Sequence, residues 1–110
     1  MQIIGEVDDR PAVIVDDMVD TAGTLCAAAK AVREAGAPMV MACATHAVLS
    51  GEAVDRLAAS ALDELVVTDT IPLHARAAES PKITVKSVAE LLAEAIRRTH
   101  NEDSISNLFV

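Results

Sequence analysis

Apolar and polar positions along this chain fall into short runs whose period changes several times. The β-branched run AVIV at 12–15 predicts a fully buried strand, and Pro11 just before it suits a strand start. From 24 to 35 the period is helical. Leu25, Ala28, Ala29 and Val32 form one stripe, and Lys30, Arg33 and Glu34 fall outside it. Gly36 ends that helix, and Pro38 prevents it from resuming. MVMACAT at 39–45 predicts a second buried strand. Ser50 and Gly51 open a second helix, with Val54, Leu57 and Ala58 on its inner face. LVVT at 65–68 predicts a third strand that ends at Asp69. Residues 71–80 read as a loop from their Pro, His and charge content. KITV at 82–85 predicts a fourth, shorter strand. Ser87 and Glu90 have the spacing of a capping box for a last helix, whose stripe is Val88, Leu91, Leu92, Ala95 and Ile96. The tail NEDSISNLFV is polar and then apolar again.

Strands alternating with helices predict an α/β fold, a parallel sheet with covering helices. A length of 110 residues fits one domain. Just over half of the residues are apolar, which excludes a disordered tail. Alanine, valine and leucine dominate, so helices can approach the sheet closely. Phe109 is the only aromatic residue, which disfavours nucleic-acid binding by base stacking. The net charge of −8 repels phosphate backbones and anionic lipids. An anionic ligand must therefore be held locally, by backbone dipoles or metal. No apolar run approaches the ~20 residues of a membrane span, and the start lacks a signal-peptide pattern. A soluble, cytoplasmic protein is expected, with no nucleic-acid or membrane partner. Cys26 and Cys43 form no CxxC and have no His at metal-ligand spacing, so both read as buried reduced thiols.

The candidate chemistry lies in VIVDDMVDTAGTL, residues 13–25. In open α/β sheets ligands sit beyond the carboxyl ends of the strands, where Asp16 and Asp17 fall. Thr24 opens the next helix, so residues 20–24 form the turn ahead of it. Backbone N–H groups there are unpaired, and the helix dipole adds about half a positive charge. Together they make a phosphate site that needs no lysine. Gly23 lets the backbone approach a ligand, and the hydroxyls of Thr21 and Thr24 can donate further bonds. The carboxylates must face another part of that ligand. Vicinal sugar hydroxyls suit them, because a carboxylate accepts two hydrogen bonds. A magnesium ion bridging acids and ligand oxygens also fits. The plainer alternative is acids at a helix N-terminus for capping.

The DDxxDTxGT string resembles the phosphoribosyl-pyrophosphate signature of type I phosphoribosyltransferase-like proteins. IIGEVDDRPAVIVDDMVDTAGTLC, ATHAVLSGEAVDRL, LDELVVTDTIPL and LLAEAIRRTHNEDSISNLF resemble, in order, the C-terminal half of the ribose-phosphate pyrophosphokinase (PRPP synthetase) family. That resemblance implies transfer of the β,γ-pyrophosphoryl group of ATP to the C1 hydroxyl of ribose 5-phosphate, with Mg2+. It implies that Asp16, Asp20, Thr21, Ala22, Gly23 and Thr24 bind ribose 5-phosphate, with Asp17 in the same acidic pair. The family's ATP-binding residues, its magnesium-binding His and Asp, and its catalytic Lys and Arg precede this region. The chain therefore reads as a fragment with no catalytic or metal residues of its own, inactive alone and reaching ATP only through the missing half. A homo-oligomer is expected.

SISNLF resembles a segment lining the family's allosteric site, which implies phosphate contacts from Ser104 and Ser106 with Phe109 packed nearby. The plainer reading is a tail docking on the core. His46 follows the second strand and reads as structural or solvent-facing. The family commonly has Pro next to it, where this chain has Ala47. His74 and His100 read as surface residues. Asp69 and Thr70 read as capping groups, and Arg97 and Arg98 suit a helix C-terminus without partners. The competing reading is a non-catalytic regulatory or assembly subunit of the same fold. A small phosphoribosyltransferase would also need a hood for the base, and the length leaves no room for one.

Overall fold

The computed structural model describes residues 3–108. Strands β1 (Ala12–Val19), β2 (Val40–Ala47), β3 (Glu64–Thr68) and β4 (Ile83–Lys86) form one four-stranded sheet in sequential order. Every neighbouring pair is parallel. Helix α1 (Gly23–Glu34) joins β1 to β2, and α2 (Ala53–Ala59) joins β2 to β3. A short helix, α3 (Ala75–Ala78), lies before β4, and α4 (Ala89–His100) follows it. The α/β class and the parallel sheet with covering helices are as the sequence predicts.

The register aligns Ile14, Ala42, Leu65 and Ile83 across the sheet. On that face Val40, Ala42, Leu65 and Val67 are buried, together with Leu25 and Ala29 of α1 and Ala53 and Leu57 of α2. The alanines keep the two helices close to the sheet, and Leu49 and Leu62 close the ends of the core. The edges of β2 and β3 are pinned by one ion pair. Asp63 Oδ2 accepts from Val40 N at 2.8 Å and from Arg33 Nη2 at 2.6 Å. These bonds hold its carboxyl below the ordinary value, the Val40 amide contributing most.

The opposite face differs from expectation. Val13 is 60% and Val15 78% exposed, beside half-buried Met41, Cys43 and Val66. Purely parallel sheets are normally covered on both faces, but here helices cover one. Both cysteines are free and only half-buried, Cys43 because it lies on this open face. The predicted stripe of α4 is likewise not buried: none of that helix's residues is, and Leu92 and Ile96 are 51% and 70% exposed.

Other boundaries move for local reasons. β1 does not stop at Val15. Val19 is buried and pairs with Ala47, and Met18 pairs with His46, so the strand is drawn through the acids. The inner residue of α2 beside Leu57 is Ala53, while Val54 is half-buried and Ala58 exposed. α3 interrupts the predicted 71–80 loop, capped by His74, whose ring accepts from Ala77 N. At the start of α4, Ser87 Oγ accepts from Ala89 N at 3.1 Å, and the remaining partner is Asp69 rather than Glu90. The Asp69 carboxylate accepts from Val88 N at 3.0 Å and from Ser87 Oγ at 2.5 Å. Those bonds, Ser87's first, hold the Asp69 carboxyl below its usual range.

Candidate functional site

The site is built where β1 hands over to α1. Asp16 and Asp17 ride on the exposed end of the strand, and Asp16 Oδ1 accepts from Asp17 N at 2.8 Å. The turn at 20–22 follows, and α1 begins at Gly23, one residue earlier than the sequence suggests. Ala22 takes the N-cap position in a left-handed conformation, φ 66°, with no side-chain cap. A non-glycine residue rarely adopts that conformation, and Ala22 is held in it by burial, only 5% exposed.

That geometry leaves the helix entrance open. Among the described residues, the amides of Thr21, Ala22, Gly23 and Thr24 donate to no protein acceptor. Four such N–H groups at the positive end of α1 are suited to an anion. No acidic side chain occupies the first turn of α1 to compete for them. A pocket of about 310 Å³ lies over them, lined by the stretch from Asp16 to Leu25. This is the lower end of the size range for small-ligand sites. A second hollow of about 180 Å³ runs over the strand ends past Thr45, Thr68 and Lys86. Asp16 lines both and so stands between the turn and the ends of the inner strands.

All of Asp16, Asp17, Asp20, Thr21, Ala22, Gly23 and Thr24 line the pocket at the turn. Asp20 differs from the other two acids, because its Oδ1 accepts the Ser50 hydroxyl from the β2–α2 loop. Ser104 and Ser106 are not part of this group. Their hydroxyls lie 3.0 Å apart, and Arg98 Nη1 reaches Ser104 O at 3.4 Å and Asn107 Oδ1. The tail is thus tied to α4 rather than docked on the core. Phe109, the third residue of that set, lies outside the described residues.

Arg97 and Arg98 do have partners: both bond Glu94, and Arg97 first, then Arg98, lower its carboxyl to about 2. The described residues hold no group of three or more His, Cys, Asp or Glu placed for a common metal ion. Two features escape sequence reasoning. One is a hydroxyl cluster at the strand ends. His46 Nδ1 lies 2.8 Å from Thr70 Oγ1, and Thr68 Oγ1 donates to Thr45 O at 2.6 Å. The other is Arg56, whose Nη1 donates to Thr21 O at 3.0 Å. Neither has a periodic or motif signal, because each joins segments far apart in sequence.

A parallel sheet that delivers carboxylates on its first strand and free amides in the next turn defines an α/β protein with an anion-suited cleft. Comparison with known proteins places it more closely. The family model described as phosphoribosyl synthetase-associated domain matches residues 1–110, and the chain belongs to that family. It is 62% identical over 109 residues to the ribose-phosphate pyrophosphokinase of Burkholderia pseudomallei, covering 99% of this chain and 34% of that protein. It is 61% identical over 110 residues to the ribose-phosphate pyrophosphokinase of Xylella fastidiosa, covering 100% of this chain and 34% of that one. Among solved structures, phosphoribosylpyrophosphate synthetase from Mycobacterium smegmatis superposes with a TM-score of 0.84 at 40% identity, over 90% of this chain and 33% of that one. The chain thus spans about a third of the length of the relatives it matches. No helix among the described residues is long and apolar enough to cross a membrane.

Proposed function

We propose that this chain supplies the ribose 5-phosphate site of a ribose-phosphate pyrophosphokinase, as part of that enzyme's C-terminal half. The observation that carries the reading is the set of unpaired amides at 21–24 beside a strand-borne carboxylate pair. The 5-phosphate takes the amides and the hydroxyls of Thr21 and Thr24. Asp16, with Asp17 beside it, accepts hydrogen bonds from the ribose hydroxyls. A phosphate held at one end and hydroxyls at the other fix the sugar in one orientation, with its C1 hydroxyl directed along the strand ends. Positioning of this kind, with charge neutralisation, is most of what phosphoryl transfer requires.

The reaction also requires cations at the transferring group. The pocket at the turn is lined by no Lys or Arg. In this reading ATP and Mg2+ are brought by another part of the enzyme, as the family resemblance implies. The bare sheet face around Val13 and Val15, and the stripe around Leu92 and Ile96, are apolar surfaces suited to that part or to further copies in a homo-oligomer. Ser104 and Ser106 contribute to an effector site only once other parts of the enzyme complete it.

Thermal unfolding of the chain with each substrate tests the reading. Ribose 5-phosphate at a hundred times its Kd is expected to stabilise the chain by roughly 2.7 kcal/mol, while ATP alone leaves the midpoint unchanged. Stabilisation by ATP and not by the sugar phosphate would refute it.

A further inference from the structure

The three carbonyls that lead into the turn's amides, those of Val19, Asp20 and Thr21, are held from behind. Val19 O accepts from Val48 N at 3.0 Å and Leu49 N at 3.1 Å. Asp20 O accepts from Ser50 N at 3.0 Å, and the Ser50 hydroxyl bonds the Asp20 carboxylate. Thr21 O accepts from Arg56 Nη1 at 3.0 Å. Three successive carbonyls thus face one strap, the β2–α2 segment, which lies some thirty residues further along the chain. A peptide plane that points its carbonyl one way points the following N–H the other way. Fixing these carbonyls inward is therefore what turns the next amides, including those of Thr21 and Ala22, toward the pocket.

The strap is itself fixed. Leu49 is 1% exposed and adopts φ 52°, a left-handed conformation that a leucine holds only when its surroundings impose it. His74 Nε2 lies 3.0 Å from Leu49 O, and His74 Nδ1 accepts from Ala77 N. These two contacts select the Nε2–H tautomer, which donates to Leu49 O. Arg56 is steadied from the other side by Glu52, 3.8 Å away.

We propose that Ser50 and Arg56 are positioning residues: they hold the 20–22 turn so that its amides form a ready-made seat for the sugar's phosphate. This rests on the reading of the site given above. Neither side chain lines the pocket at the turn. Each acts through the backbone, the arrangement in which donors cost no reorganisation when the ligand arrives.

The test compares the unaltered chain with Arg56→Met, Arg56→Lys and Ser50→Ala, using two readouts. Backbone 15N order parameters of Thr21, Ala22 and Gly23 are measured without ligand, and affinity for ribose 5-phosphate is measured by calorimetry. In Arg56→Met we expect the order parameters to fall from about 0.85 toward 0.6. Affinity falls about tenfold, the scale of losing good hydrogen bonds to a charged acceptor. Arg56→Lys, which can still donate one bond to Thr21 O, recovers part of both. Ser50→Ala moves both readouts in the same direction by less, since Ser50 N still bonds Asp20 O. Unchanged order parameters in Arg56→Met overturn the proposal whatever the affinity does, because a fall in affinity alone means direct contact with the ligand. Loosened amides with unaltered affinity overturn it equally. If the unaltered chain binds no ribose 5-phosphate, the ligand assignment fails, and the order parameters still decide whether the strap organises the turn.

Discussion

Replacing Gly23 by alanine separates what the fold requires at the helix entrance from what a ligand requires. Gly23 is the first residue of α1, and its backbone does not need the left-handed region. A Cβ built there meets only Thr21 Oγ1, at 3.9 Å, an ordinary van der Waals contact. Alanine therefore fits the ligand-free chain without displacement. Because it also restricts the unfolded chain, Gly23→Ala should stabilise the protein by about 0.4–1 kcal/mol. For a domain of this size that raises Tm by roughly 2–5 °C. Gly23 lines the pocket at the turn, so a methyl group added there takes space beside the amides that an ester oxygen would approach. Losing or lengthening hydrogen bonds to a charged acceptor costs about 1.5–3 kcal/mol, or roughly a tenfold to hundredfold loss of affinity. The expected signature is thus opposite in sign for the two measurements. Thermal unfolding gives the first and calorimetric titration with ribose 5-phosphate the second. A variant that binds the sugar phosphate as tightly as the unaltered chain would show that the glycine serves no ligand. A variant that unfolds at lower temperature would show that the glycine is needed by the fold.

Two further outcomes test the frame around the site. Asp63→Ala removes the acceptor of both Val40 N and Arg33, leaving the first amide of β2 without its partner. We expect a loss of about 1–2 kcal/mol, seen as a Tm lower by roughly 4–8 °C; an unchanged Tm would contradict the pinning role. Glu94, with its carboxyl lowered from 4.5 to about 2 by Arg97 and then Arg98, binds fewer protons folded than unfolded in that window. Its contribution to stability is therefore complete above pH 4.5 and lost as pH falls through about 2. Carboxyl NMR should show Glu94 titrating near the lower value, and a midpoint near 4.5 would show that the pairs do not persist in solution.

Much of the fold is legible in the sequence because it depends on periodicity. The stripe of Leu25, Ala28, Ala29 and Val32 and the apolar runs of β2 and β3 show as patterns whatever the tertiary structure, although only alternate residues of those two strands are buried. What escapes is set by contacts between distant segments. β1 reaches Val19 because Met18 and Val19 find partners in His46 and Ala47, which no local pattern through two aspartates announces. The capping-box spacing of Ser87 and Glu90 is half realised: Ser87 Oγ accepts from Ala89 N at 3.1 Å, while Asp69, eighteen residues before Ser87, takes the amide of Val88. The stripe of α4 predicts a buried face, but none of that helix's residues is buried, because among the described residues nothing packs over the stripe. At the site itself the ligand-facing residues are contiguous and carry a recognisable string. Arg56 and Ser50, which support them from the far side, belong to a different segment and resemble ordinary helix and loop residues.

The most direct measurement is a crystal structure of the chain soaked with ribose 5-phosphate. We expect the phosphate within hydrogen-bonding reach of the amides at 21–24, and the ribose hydroxyls on the carboxylate of Asp16. A sugar phosphate bound elsewhere, or bound with its hydroxyls at the turn and its phosphate away from those amides, would contradict the assignment.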